Sequence, residues 1–294
     1  MKIGFIGFGE AAYCISSGLR RDKIGCDICA YDKMMNHEEM GSIIRSRAKE
    51  AEVELLGTPK EVVSQGDVII AAVPSSYTLD ACKSVADDLK PGQVYADISA
   101  STPDTKKKIW ELLKSRNVLF ADAAVLGSVP QEKNKVPIAA SGNGAKAFFD
   151  ALSPLGMRIS VINERAGDAS AIKLIRSIFT KGMAAVMIEA TWAAMRYGVT
   201  EEVTKSIVES MDGIPFEEHL TRMIVGTAIH AKRRTGEVKG SVELCEEAGL
   251  PHNISDGTVL WHERISEYNL GAKYSANRPK GWREVIADFN SIKA

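Results

Sequence analysis

The residues with the clearest chemical potential lie on one stretch, Asp168 to Gly198, which reads DASAIKLIRSIFTKGMAAVMIEATWAAMRYG. Lys173, Ser177 and Lys181 recur at i, i+4 and i+8, with Arg176 and Thr180 beside them, so on a helix they share one face. A lysine held on a rigid helix and facing a cleft can take or give a proton; the plainer alternative is a solvated edge on a core helix. The stretch itself predicts a helix. It holds no proline, it is rich in alanine and apolar residues, and Gly198 stands in a C-cap position. At ~1.5 Å per residue it runs roughly 45 Å. Because it is apolar nearly all round, it is expected to be buried.

The first half of the chain must position that lysine. KIGFIGF, CDICAYD, DVIIAAVP, VYADIS, VLFADAAV, KVPIAAS and RISVI read as strands. Residues 10–21, PKEVVSQ, YTLDACKSVADDLK and PDTKKKIWELLKSR read as helices between them. Strands of near-continuous apolar character alternating with helices predict a doubly wound, mostly parallel sheet covered on both faces, a Rossmann-type α/β domain. Strands end near residue 165. The remainder reads as helices at 168–197, 200–211, 217–234, 237–247 and 253–267, so we expect domains 1–165 and 166–294, the second all-α.

The first strand ends in Gly7-Phe8-Gly9-Glu10-Ala11-Ala12, a GxGxxA between a strand and a helix, and the second ends in Asp32, 23 residues past Gly9. In that context the pattern predicts a dinucleotide site. Gly7 permits the tight turn, Gly9 lets a pyrophosphate approach the backbone, and Ala12 keeps the helix close to the strand. Asp32 would accept from the adenosine ribose and repel a 2′-phosphate, which favours NAD; Lys33 offsets part of that repulsion and admits NADP. Val73-Pro74-Ser75 ends the next strand. Ser99 and the pair Gly127-Ser128 follow two others, supplying backbone N–H and hydroxyl donors suited to a carboxylate.

Composition narrows the function classes. The 294 residues suffice for two cores, and a formal net charge of -1 gives no basic excess that would indicate nucleic acid. No run of 18 uncharged apolar residues predicts a membrane span. Cys14, Cys26, Cys29, Cys82 and Cys245 form an odd, scattered set, which predicts reduced thiols and a cytoplasmic setting. The lone CxxC and the spacing of the histidines predict no metal site.

Four motifs together resemble the β-hydroxyacid dehydrogenase family, which includes the 3-hydroxyisobutyrate and 6-phosphogluconate dehydrogenases. GFGEAA resembles its nucleotide loop. DISASTP resembles its DxST…P segment, with Ser99 at the substrate-binding serine and Ala100 where a threonine is usual. DAAVLGS resembles its DAPVSGG, with Gly127 and Ser128 at the substrate-binding end. GDASAIKLIRS resembles its GxGxxxKxxxN, with Lys173 at the catalytic lysine and Ser177 in place of a substrate-binding asparagine. The C-terminal helices look like the branch whose second domain has no assigned function.

The resemblance implies an NAD(P)-dependent oxidoreductase acting on the hydroxyl of a small β-hydroxy acid, or on the corresponding carbonyl. Lys173 would take the hydroxyl proton while hydride leaves for the nicotinamide, and Ser99, Gly127, Ser128 and Ser177 would hold the substrate. Arg233 or its neighbour Arg234 could add an anion contact, against the plainer reading of a solvated basic face. An imine or opine-type reductase on the same fold, and a dinucleotide-binding protein without turnover, are the alternatives. The apolar C-terminal helices, and the family's own pairing, predict a homodimer through the second domain.

Overall fold

The computed structural model describes residues 1–292, so the last two residues of the expected second domain lie outside it. Eight strands form one sheet: β1 (Lys2–Ile6), β2 (Asp27–Tyr31), β3 (Glu54–Leu55), β4 (Val68–Ala71), β5 (Val94–Asp97), β6 (Leu119–Val125), β7 (Ile138–Ser141) and β8 (Ile159–Asn163). Their order is β3-β2-β1-β4-β5-β6-β7-β8. All neighbours pair parallel except β6 and β7. The order reverses beside β1, whose carboxyl end therefore opens onto the crevice where ligands bind in this architecture.

The helices are α1 (Glu10–Arg21), α2 (Glu38–Glu50), α3 (Pro59–Gln65), α4 (Thr78–Lys83), α5 (Pro103–Lys114), α6 (Val129–Glu132), α7 (Ala145–Leu152), α8 (Asp168–Tyr197), α9 (Thr200–Met211), α10 (Phe216–Glu247), α11 (Asn253–Glu267), α12 (Leu270–Ala276) and α13 (Trp282–Ser291). Alternate strand residues face two cores, as a pleated strand requires. Ile3, Phe5, Ile28 and Ile70 pack with Ile15 and Leu19 of α1 and with Phe148 of α7. Ile6, Ile69 and Tyr95 pack with Val62 and Val63 of α3 and with Ile109 and Leu113 of α5. Thr58 and Thr102 cap α3 and α5 with their hydroxyls, and a proline follows each cap, which fixes where these helices begin.

The chain divides into two compact units, Met1–Ile178 and Phe179–Ala294. The division falls later than the 165/166 expected from the loss of strands, because the first turns of α8 are bound to the sheet. In the second unit, Val225 and Ala228 of α10 form a core with Leu270 and Tyr274 of α12 and Val285 of α13. The two helices expected at 217–234 and 237–247 are one element, α10, with a kink at His230 (φ -115°, ψ 18°). The expectation that α8 is buried requires correction. Ala169, Ser170 and Ala194 are buried, but Ile175, Ile178, Ile188 and Met195 are 63–75% exposed. Apolar character all round demands cover, and among the described residues the second unit does not provide it for Ile188 and Met195.

Within the second unit one carboxylate organises a helix start. Glu189 of α8 accepts from the Ile254 N–H (2.9 Å), the Ser255 N–H (2.8 Å) and the Ser255 hydroxyl (2.6 Å), and so caps α11 from outside. Burial opposes this charge and pushes the carboxyl up, but the hydrogen bonds from Ser255 and Ile254 outweigh it and hold it below its ordinary 4.5. A depressed carboxyl contributes stability that is present above its ordinary value and lost as pH falls through the depressed one. Glu189→Ala should therefore cost about 1 kcal/mol at neutral pH, the scale of a lost helix cap. Thermal melts across pH should show the gap between variant and wild type closing as pH falls below the ordinary carboxylate range; a gap that stays constant into strong acid would contradict the capping role.

Candidate active site at the carboxyl edge of the sheet

The glycine loop after β1 is set by backbone geometry. Gly7 has φ +89°, and a Cβ there would lie 2.6 Å from the Ala72 carbonyl oxygen, so no other residue fits. Its N–H donates to Tyr31 O at 2.8 Å. Asp32 completes the turn. Its carboxylate accepts from the Phe8 N–H (2.7 Å) and the Met34 N–H (2.8 Å), joining the glycine loop to the end of β2. Phe8 and Ala12 are fully buried. Glu10 and Lys33 are exposed, and Ala11 is half-buried.

Gly9 differs from Gly7: a Cβ there would meet nothing within 4 Å. It precedes α1, whose first turn has no side-chain cap. Open space beside an uncapped helix N-terminus, with Asp32 anchored next to it, fits the pyrophosphate and ribose of a dinucleotide. The Phe8 N–H is engaged by Asp32, so the residue serves the loop's shape.

Further along the sheet edge, Ser99 is buried and its Oγ accepts from the Val73 N–H at 3.2 Å, tying the turn after β5 to the end of β4. Pro74 and Ser75 are exposed beside it. The turn owes its shape to Asp97, which accepts from the Ser99 N–H at 2.8 Å. After β6, Gly127 is exposed and Ser128 half-buried. The Ser128 N–H donates to Glu132 Oε1 at 3.2 Å, so one backbone donor expected for a substrate carboxylate is engaged by the chain's own.

Lys173 and Ser177 are half-buried on α8, whose start is fastened to the sheet. Asp122 of β6 accepts from the Ser170 N–H (2.9 Å) and the Ser170 hydroxyl (2.7 Å), and Ser141 Oγ of β7 accepts from the Ala169 N–H (2.9 Å). Two turns on, Arg176 Nη1 donates to Leu126 O at 2.5 Å, next to Gly127 and Ser128. The first unit thus brings α8 to the loop after β6. Arg233 is exposed on α10 in the second unit, ion-paired with Glu237 one turn along the same helix, which suits a solvated basic face.

The residues 2–161 match the family model described as the NAD binding domain of 6-phosphogluconate dehydrogenase. The chain belongs to this family. It is a family of NAD(P)-dependent hydroxyacid dehydrogenases, and residues 194–265 match a domain of unknown function, DUF1932. A curated relative, the mitochondrial 3-hydroxyisobutyrate dehydrogenase of Drosophila melanogaster, is 23% identical over 87% of this chain and 78% of its own. A solved structure described as a conserved protein of unknown function with structural similarity to 3-hydroxyacid dehydrogenases is 29% identical. It covers 92% of this chain and 99% of its own, with a TM-score of 0.61. The imine reductase of a Pseudomonas species has a TM-score of 0.71 at 17% identity, over 92% of this chain and 95% of its own, a likeness of fold alone.

The sequence reading did not single out Lys106, Asp97, Asp122 and Ser170 as a group. One signal was legible: Lys106 stands on the same helical stripe as Ile109 and Leu113, an apolar position for a lysine.

The glycine geometry separates two variants. Gly7→Ala should destabilise the chain by about 1–3 kcal/mol, the scale of a forced left-handed backbone. Gly9→Val should leave the melting temperature unchanged yet weaken NADH binding by at least ~10-fold. Thermal melts and NADH fluorescence titrations check both; unaltered binding by Gly9→Val would move the pyrophosphate elsewhere.

Proposed function

We propose that the chain oxidises the hydroxyl of a small β-hydroxy acid with NAD, and that Lys173 is the general base. The observation that carries this reading is the fastening of α8. Asp122 and Ser141 hold its first turn and Arg176 reaches Leu126 O, so Lys173 stands on a fixed helix beside the loop of Gly127 and Ser128.

Gly7, Gly9, Glu10, Ala11, Ala12 and Asp32, on the loop whose shape Phe8 maintains, would hold the dinucleotide, with Val73, Pro74, Ser75 and Ser99 flanking it; bound there, it would supply the hydride acceptor. The protein's residues do the remainder. Lys173 removes the hydroxyl proton as the carbon becomes a carbonyl, and in the reverse direction its ammonium returns the proton and steadies the oxyanion. The Ser99 and Ser128 hydroxyls and the Gly127 backbone hold the acid group. Ser177, one turn past Lys173 and shorter than asparagine, bonds to the reacting hydroxyl and leaves room for a bulkier substituent. Asp32 repels a 2′-phosphate, so NAD should give the higher kcat/KM, with NADP second.

A panel of 3-hydroxy acids followed by NADH formation tests the reading. Lys173→Ala should lower kcat by ~10²–10⁴-fold and leave NADH affinity nearly intact. Activity within a few-fold of wild type would contradict the role given to Lys173, and turnover of cyclic imines without hydroxy acids would favour an imine reductase. NADH binding with no turnover at all would favour a sensor.

We also propose a homodimer through the second unit. Ile188, Trp192 and Met195 of α8 and Leu260 and Trp261 of α11 are 50–70% exposed, more large apolar side chains than a lone surface carries. A second copy is the economical cover, and twofold closure the commonest form. Light scattering at micromolar concentration should give about twice the 31.9 kDa of one chain; the mass of a single chain would overturn the dimer.

A further inference from the structure

Lys106 of α5 is fully buried, and so are the two carboxylates it touches. Its Nζ lies 3.2 Å from Asp97 Oδ2 and 3.4 Å from Asp122 Oδ1, and donates to Asp97 O at 2.8 Å. The sheet places these acids side by side. Ala71, Asp97, Asp122 and Ser141 are register partners across β4, β5, β6 and β7, so Asp97 and Asp122 project from one face in one row. Two acids adjacent in a dry sheet face repel, and each needs a cation or several donors. Lys106 faces both.

Each acid has a second task, and both tasks end at the proposed site. Asp97 orders the turn of Ser99 through the Ser99 N–H, and Ser99 in turn holds Val73. Asp122 binds the N–H and the hydroxyl of Ser170, one turn before Lys173. The positive end of α8 adds to the attraction at Asp122. One ammonium therefore stands behind the substrate serine and, separately, behind the helix that carries the lysine.

We propose that Lys106 is a positioning residue that holds the Ser99 turn and the start of α8 in fixed register. The inference rests on the reading of Lys173 as the general base. It gives the buried lysine a task beyond cohesion: a hydrophobic residue of equal length could fill its volume, but could not bind two carboxylates at once. Misplacing a reacting group by about 1 Å costs on the order of 10²-fold in rate.

Lys106→Met and Ser170→Ala test this, with hydrogen exchange measured beside kinetics. In Lys106→Met, exchange should quicken in both 97–102 and 168–175 while 2–31 stays as in wild type, and kcat should fall about 10²-fold with NADH affinity unchanged. Ser170→Ala should quicken only 168–175 and lower kcat less. A Lys106→Met protein that melts earlier but exchanges evenly throughout and keeps kcat within about twofold would overturn the proposal, since cohesion alone would then explain the residue. If Lys106→Met does not fold, Ser170→Ala decides: faster exchange at 168–175 with lower kcat supports the link through Asp122, and no change in either overturns it. If the wild type turns over no hydroxy acid, the functional reading fails while the exchange data still decide whether Lys106 sets the two segments.

Discussion

Burying the Asp122 carboxylate is the constraint on which the junction of the sheet with α5 and the start of α8 depends. A charged carboxylate removed from water costs several kcal/mol unless its oxygens are filled. Here both oxygens are. Oδ1 takes the Ser170 hydroxyl and lies near Lys106, and Oδ2 takes the Ser170 N–H with Ser141 also within 3.4 Å. Every one of these partners is buried as well. Loss of any one leaves another charged or polar group unpaired in a dry interior, so the arrangement of β6, β7, α5 and the start of α8 is over-determined. That is the condition under which a side chain one turn further on can be held still.

The same device recurs at other joints. Asp32 accepts backbone N–H groups to close the glycine loop, Asp97 shapes the Ser99 turn, Glu132 receives the Ser128 N–H, and Glu189 caps α11. In each case a carboxylate binds main-chain donors that no helix or strand satisfies. Hydrogen bonds to a charged acceptor are roughly twice as strong as neutral ones. They are suited to segments where regular structure ends and main-chain donors are left without a partner.

α8 combines two unlike demands. Its first turns are fixed by polar anchors, and its later turns carry Met187, Ile188, Trp192 and Met195 outward. Alanines at 184, 185, 190, 193 and 194 keep the helix intrinsically stable without branched side chains crowding its turns. The sequence pattern that marked the helix as apolar all round was read correctly as composition. The inference from it to burial failed because composition records a demand for cover and does not say which chain supplies it.

How much of the site was legible follows from the range of the interactions. The glycine loop and Asp32 were visible because their signals are local or lie at a fixed distance along one βαβ unit, and the mostly parallel character of the sheet was implied by strand–helix alternation. Lys173 and Ser177 could be proposed as partners on one face because helical spacing is a property of consecutive residues. Lys106 carried a local signal too, as a charge on the apolar stripe of α5, but it stands in a row with Lys107 and Lys108, which conceals that one of the three faces the core. Its meaning lies in Asp97 and Asp122, which become neighbours only when β5 and β6 pair in the observed register. The lesson is specific: a lysine at a core position of an α/β helix is worth testing against acids at strand ends, since the cost of burying it alone is too high for chance.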